Sequence, residues 1–318
     1  MGFDSKVAVV TGSGQGIGEA YAKGLAARGA RVVVADLNEQ QAQRVAGEIA
    51  VAGGTALAVQ VDVADPASAD AMAATVVDEL GGIDYLVNNA AIYAGMRVES
   101  LLKVDLDYYT RFLAVNMNGA LVVTRACHRS MAERGGGAIV NQSSTAAWMA
   151  GGFYSVAKAA LNSLTVNLAA ELAPRNIRVN AIAPGPTDTG ATREIVPEAF
   201  LQPLVDSLMI KRLGHPDDHV GPLLFLLSDE ARWVTGHIFA VDGGQVVRIC
   251  PSDLTHCQTW SMTSPTTWPT TRPTALAEPR RRTSPTRPRP TWGPSRRCSS
   301  GRLRASASAK GWSTAIAA

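Results

Sequence analysis

Cysteine, aromatic residues and charge are all scarce in this chain, and each scarcity excludes something. Residues 1–248 contain one cysteine, Cys127, so no disulfide can form within them, and a reducing compartment, the cytoplasm, is expected. Cys127 falls in a helical run, where a small buried hydrophobe is the expected role. There is no run of about 18 apolar residues, so no membrane span is expected. The opening Met1-Gly2-Phe3-Asp4-Ser5-Lys6 runs straight into a strand and has no signal-peptide pattern. No metal site is expected, because Cys250, Cys257 and Cys298 lack ligand-like spacing.

The net charge of +3 hides a division. Residues 1–248 carry 19 Lys+Arg against 25 Asp+Glu, whereas residues 249–318 carry 11 against 2. The second segment also holds nine of the 17 prolines and four of the six tryptophans, with few aliphatics to build a core. Its runs Arg280-Arg281-Arg282, Arg287-Pro288-Arg289-Pro290 and Arg296-Arg297-Cys298 read as GC-rich DNA translated in the wrong frame, or else as a disordered tail. The arginines with Trp292 could contact nucleic acid. The acidic body has no nucleic-acid module, however, so no such partner is expected. Two parts result: a single folded domain over 1–248 and a basic tail over 249–318.

Within the body, short apolar runs alternate with helical stretches. Strands are expected at Val7–Val10, Arg31–Ala35, Ala56–Val61, Tyr85–Val87, Ala138–Asn141, Arg178–Ile182 and Ile238–Val241. Helices are expected over Gly16–Arg28, Glu39–Ala52, Pro66–Leu80, a long amphipathic stretch Asp107–Arg134, a run from Tyr154 to Leu172, and His219–Leu227. Continuous apolar strands alternating with helices predict an α/β fold: a doubly wound, parallel, seven-stranded Rossmann sheet covered by helices on both faces.

Thr11-Gly12-Ser13-Gly14-Gln15-Gly16-Ile17-Gly18 lies between the first strand and the first helix. Glycines there let the backbone turn tightly and approach a pyrophosphate at the free N–H groups of the helix N-terminus. Gly12, Gln15, Gly16, Ile17 and Gly18 are therefore candidate dinucleotide contacts. Asp36 ends the second strand, where a carboxylate can accept from both ribose hydroxyls and repel a 2′-phosphate, so the cofactor expected is NAD. The competing role for Asp36 is to cap the next helix. Asp62, with Val63 beside it, ends the third strand and could reach the adenine; a cap ahead of Pro66 is its competing role.

Tyr154 and Lys158 stand four residues apart, so on a helix they share a face. An ammonium beside a phenol stabilises the phenolate, so the pair predicts a tyrosine of lowered pKa able to act as a general acid/base.

Together these residues resemble the short-chain dehydrogenase/reductase family. The likeness spans about residues 3–247 and rests on Thr11-Gly12-x-x-x-Gly16-Ile17-Gly18, Asn88-Asn89-Ala90-Ala91, Asn116, Ile139-Val140-Asn141-Gln142-Ser143-Ser144, Tyr154-x-x-x-Lys158, and Pro184-Gly185 with Thr189. The resemblance implies a catalytic set of Asn116, Ser144, Tyr154 and Lys158. Ser144 would bond the substrate oxygen and Tyr154 would exchange its proton. Lys158 would hold the nicotinamide ribose, and Asn116 would hold a water leading to Lys158. Ser143 is the rival for the serine role. Asn89 and Ala90 would line the ribose, Pro184, Gly185 and Thr189 would complete the cofactor wall, and the Thr187 backbone would meet the carboxamide. The resemblance also implies a homotetramer or homodimer, paired through Asp107–Arg134 and Tyr154–Leu172.

The chain departs from the family pattern twice. Ala91 stands where glycine is usual, and the segment from Ser144 to Tyr154 is shortened to Thr145–Phe153. Trp148, Met149 and Phe153 should make that pocket wall apolar. The segment Gly190–Arg212, with Ile195, Val196, Phe200, Leu201, Leu204 and Leu208, is expected to close over an apolar ligand or to pack against the body. The expected reaction interconverts a secondary alcohol and a ketone on a small or medium apolar substrate. A 3-oxoacyl-thioester reductase or a hydroxysteroid dehydrogenase is the alternative, and a non-catalytic NAD-binding protein is a minor one.

Overall fold

The apolar runs pair into one sheet of seven parallel strands: β1 (Val7–Thr11), β2 (Arg31–Asp36), β3 (Thr55–Gln60), β4 (Tyr85–Asn88), β5 (Gly137–Gln142), β6 (Ile177–Pro184) and β7 (Ile238–Val241). Their order is β3-β2-β1-β4-β5-β6-β7. The structure, a computed structural model, describes residues 2–246. The expectations placed on Val247, Arg248 and residues 249–318 lie outside the described residues.

Among the described residues nine α-helices connect the strands: α1 (Gly16–Ala26), α2 (Glu39–Val51), α3 (Pro66–Leu80), α4 (Leu106–Leu113), α5 (Gly119–Glu133), α6 (Gly152–Leu172), α7 (Gly190–Ile195), α8 (Glu198–Ser207) and α9 (Val220–Leu227). The side-chain alternation of β1 explains why helices are needed on both faces. Ala8 and Val10 enter one core with Tyr21, Leu25 and Leu223, while Val7 and Val9 enter another with Met72, Val123 and Leu168. The expected fold is the one adopted. Cys127 is fully buried in the second core, and burial pushes its thiol up to about 12.

Local chemistry sets the helix ends. Asn38 caps α2 by accepting from the Gln41 N–H, and Asp65 caps α3 by accepting from the Ala67 N–H. Neither Asp36 nor Asp62 is therefore spent as a cap. The long stretch Asp107–Arg134 is not one regular helix. A π-helical turn, Ala114–Asn118, separates α4 from α5 and admits an extra residue, with Asn116 buried at its centre. Amphipathic periodicity does not reveal such an insertion, because the apolar pattern continues on both sides. The strand order reverses between β1 and β4, and this opens a crevice at the carboxyl ends of the strands.

Candidate active site

A cavity of about 910 Å³ occupies that crevice. Gly12, Gln15, Gly16, Ile17, Gly18, Asp36, Asp62, Val63, Asn89, Ala90, Ser144, Tyr154, Lys158, Pro184, Gly185, Thr187 and Thr189 all line it. Asn116 does not. It meets Lys158 across a separate small cavity of about 10 Å³, which Thr11, Asn88 and Gln142 also line. That space is polar and at the size limit for one water.

At one end the wall is bare backbone. Gly12 and Gly16 have φ of 63° and 60°, the left-handed region that side chains disfavour. A Cβ on Gly18 would lie 2.2 Å from the Gly12 carbonyl and 2.4 Å from Asn89 Nδ2. The turn thus needs glycine for conformation and for close approach, and it leaves a cradle at the start of α1 that fits a pyrophosphate. Asn89 pins it from β4, its side-chain amide donating to the carbonyls of Thr11 (3.0 Å) and Gly12 (2.9 Å). The Thr11 hydroxyl returns the link by accepting from the N–H groups of Asn89 and Ala90, each at 3.1 Å. The side chain of Asn89 therefore serves the turn while the residue still borders the cavity.

Asp36 is held on both oxygens, accepting from the N–H groups of Gly14 (2.8 Å) and Asn38 (2.9 Å). Asp62 accepts from Arg111 at 2.8 Å, and Arg111 also lines the cavity. Burial alone would raise the Asp62 carboxyl, but Arg111 and the Ala64 N–H outweigh it and hold it below the usual range. Arg44, on α2, reaches the turn by donating to the Gly14 carbonyl at 2.8 Å, and its charge is matched by Glu19 and Glu48. The sequence reading missed Arg111 and Arg44. Each is one cation on an amphipathic helix, and only the fold brings Arg111 to the cavity and Arg44 to the turn.

The opposite wall carries the reactive side chains. Ser144 follows β5, and its hydroxyl acts on the phenol of Tyr154, on the first turn of α6, in the direction that favours the phenolate. Ser143 also lines the cavity, but its hydroxyl is engaged in donating to Asn162. Lys158, one turn beyond Tyr154, is 2% exposed; its ammonium donates to the Gln142 carbonyl at 2.8 Å and lies 5.8 Å from the Tyr154 ring centroid. The expected lowering of the tyrosine is not what this arrangement produces. Desolvation pushes the Tyr154 phenol up, against the effect of the Ser144 hydroxyl, and burial pulls Lys158 down to about 8. At this separation the ammonium does not offset the loss of water around the phenol. Asn116 donates to the Phe112 carbonyl at 3.1 Å, and its Oδ1 has no partner among the described residues.

Between these walls the lining turns apolar, with Ile92, Met96, Met149, Val196 and Leu204. Of the three residues expected in the shortened segment only Met149 lines the cavity. Phe153 is buried instead against Phe112, with ring centroids 4.8 Å apart, and Trp148 faces outward. The lid segment likewise divides. Val196 and Leu204 line the cavity, Leu208 is buried, and Phe200 is exposed. Tyr93, unforeseen, stands 5.5 Å from Tyr154 between ring centroids and lines the cavity together with Thr192 of α7. Ala91, the departure from glycine, lines the cavity without closing it.

Known proteins resemble this chain in sequence and fold. A family model described as Enoyl-(Acyl carrier protein) reductase matches residues 12–245. An "Uncharacterized oxidoreductase" of Mycobacterium tuberculosis is 58% identical over 246 residues, covering 77% of this chain and 99% of that one. A putative NAD(P)-dependent gluconate 5-dehydrogenase from Beutenbergia cavernae, solved with NADP, superposes with a TM-score of 0.72 at 36% identity, covering 77% of this chain and 98% of that one. A 7α-hydroxysteroid dehydrogenase solved with NADH and 7-oxoglycochenodeoxycholic acid gives 0.72 at 35% identity, covering 76% and 95%. One of these two structures holds NADP and the other NADH, so the comparison supports a nicotinamide cofactor without choosing between the two.

Proposed function

The chain belongs to the short-chain dehydrogenase/reductase family and is an oxidoreductase, and from that premise we propose that it interconverts an uncharged secondary alcohol and its ketone with NAD. The observation that carries this reading is the convergence of Ser144, Tyr154 and Lys158 on one wall of the cavity, opposite a glycine cradle that fits a dinucleotide. When bound, the nicotinamide supplies or takes up the hydride. Gly12, Gln15, Gly16, Ile17 and Gly18 hold the pyrophosphate through the backbone. Asn89, Ala90, Lys158, Pro184, Gly185, Thr187 and Thr189 fix the nicotinamide half, and Asp62 with Val63 borders the adenine. Ser144 holds the substrate oxygen and Tyr154 Oη exchanges its proton. Burial keeps Tyr154 protonated at neutral pH, which suits the donor in ketone reduction. Asn116, through one water, connects Lys158 to solvent.

Three features support NAD over NADP. Asp36 is fixed at the cavity edge by two N–H groups. It repels a second phosphate. The charge of Arg44, the cation nearest the turn, is cancelled by Glu19 and Glu48. An uncharged, apolar substrate is supported by Met96, Met149, Val196 and Leu204 in the lining.

We also read residues 1–248 as the whole catalytic part, assembled as a homotetramer or homodimer. Val156 and Val166, both exposed on α6, support that pairing. Sedimentation as a monomer at working concentration would refute it.

The deciding experiment follows NADH and NADPH oxidation over a panel of apolar ketones for the wild type and Tyr154→Phe. NADH-dependent turnover is expected, with kcat/KM lowered at least about 10²-fold in the variant and NADH affinity unchanged. Substantial turnover by Tyr154→Phe would overturn the mechanism.

A further inference from the structure

The lid helices α7 and α8 leave and re-enter the body at one point. Beyond β6, the Asp188 N–H donates to the Gly214 carbonyl (2.8 Å) and the Gly214 N–H donates to the Pro186 carbonyl (2.9 Å). The two ends of the segment 188–214 are thus tied across Thr187. Surface ion pairs, Arg193–Asp188 and Arg212–Asp218, flank this knot on either side. Such exposed pairs contribute little rigidity. The buried contact is different: the Thr187 hydroxyl lies 2.9 Å from His219 Nε2.

The proton positions follow from counting. Thr187 has one hydroxyl hydrogen and gives it to the Gly185 carbonyl at 2.9 Å. It must therefore accept from His219, which carries its hydrogen on Nε2. That leaves Nδ1 as a bare acceptor, and it has no partner among the described residues although the side chain is only 1% exposed. Burial pulls the imidazole down to about 4, so it stays neutral at working pH. An apolar side chain would fill the same space without stranding an acceptor. The gain from histidine is then the single bond to Thr187.

We propose that His219 is a positioning residue: through the Thr187 hydroxyl it fixes both the backbone that meets the nicotinamide and the hinge on which α7 and α8 close. This rests on the dinucleotide reading above. It adds that the cofactor wall is set by a residue that does not line the cavity.

The test compares wild type, His219→Gln, His219→Leu and Thr187→Val. Gln can donate from a similar position; Leu cannot, and Thr187→Val breaks the same bond from the other side at similar volume. Two readouts are used, NADH binding by fluorescence without substrate and the rate of limited proteolysis within Gly190–Ser207. His219→Leu and Thr187→Val are expected to weaken NADH by about tenfold, as for one buried hydrogen bond. Both should be cut faster in the lid. The double variant should be no worse than Thr187→Val, which also loses the bond to the Gly185 carbonyl, and His219→Gln should stay within about threefold of wild type. If His219→Leu does not fold, Thr187→Val alone carries the test. Unchanged NADH affinity and unchanged lid cleavage in Thr187→Val would overturn the proposal. A wild type that binds no NADH would sink the dinucleotide reading instead, while lid cleavage would still decide the hinge.

Discussion

At the glycine turn the cavity wall is backbone, held by β1, β4 and the first turn of α1, with Asn89 and Thr11 bonding across strands. At the lid the wall is two short helices, anchored at their base by Thr187 and His219, with Thr192 lining the cavity together with Tyr93. The first end has almost no freedom, because a methyl group on Gly18 collides with a carbonyl. The second has room: a methyl on Gly190, the first residue of α7, meets nothing within 4 Å. The proposed pyrophosphate cradle thus lies at the tightly packed end, and the proposed substrate wall at the end with room for change.

The largest expected effect breaks this contrast at its stiff side. Gly18→Ala should weaken NADH binding by about 10- to 100-fold, the cost of overpacking by a few kcal/mol, whereas Gly190→Ala should leave it within about twofold. Equal effects of the two substitutions, read by NADH fluorescence titration, would remove the distinction. Asp36→Ala should shift the ratio of NAD to NADP catalytic efficiency by about tenfold or more toward NADP, by relieving a like-charge clash. An unchanged ratio would mean that the rigid end does not read the ribose through Asp36.

Lys158 sits where the two ends meet, and there stability and chemistry oppose one another. Its folded pKa lies near 8, below the ordinary 10.5. Below that value the protein carries the cost of a buried ammonium. Between about 8 and 10.5 the unfolded chain binds the proton that the folded chain has released, so wild-type stability rises with pH across that window. Lys158→Met should therefore be inactive yet more stable at pH 7, by on the order of 1–3 kcal/mol, with the gain fading toward pH 10.5. Denaturant melts at pH 7 and 10 measure this; a variant less stable at pH 7 would contradict it. The smallest effect is expected from ending the chain at Arg248, which should leave NADH affinity and turnover within about twofold, because the tail lacks the aliphatics of a core. Loss of solubility or activity on that truncation would show that the body extends further.

The same contrast explains what could be read from the residues. Gly12, Gly16 and Gly18 were legible because each answers a local demand of the backbone, and local demands leave a trace in residue type. Asp36 was legible because it ends β2 and Asp62 because it follows β3 closely, and the strands announce themselves. Arg111, Tyr93 and His219 were not, since each acts on a residue far away in sequence and has an ordinary local neighbourhood. Phe153 illustrates the same limit: hydrophobicity predicted that it would be covered, but not that Phe112 rather than a ligand would cover it. The pKa of Tyr154 was misjudged because sequence spacing gives the distance to Lys158 but not the loss of water around the phenol.

The π-helical turn at Ala114–Asn118 makes the site sensitive to residue number as well as residue type. The wide turn absorbs its extra residue, so removing one residue there would let the ordinary helical pattern run unbroken with Val123, Cys127 and Met131 still on the sheet, while Asn116 would lose its place across from Lys158. Removing one residue from the regular turns of α5 before Val123 would instead turn everything after it by roughly 100° about its axis. A deletion of one amino acid, silent in any composition or hydropathy plot, would there act as a change of phase. Helical wheels drawn through this stretch as a single element will therefore assign the wrong face to half of it.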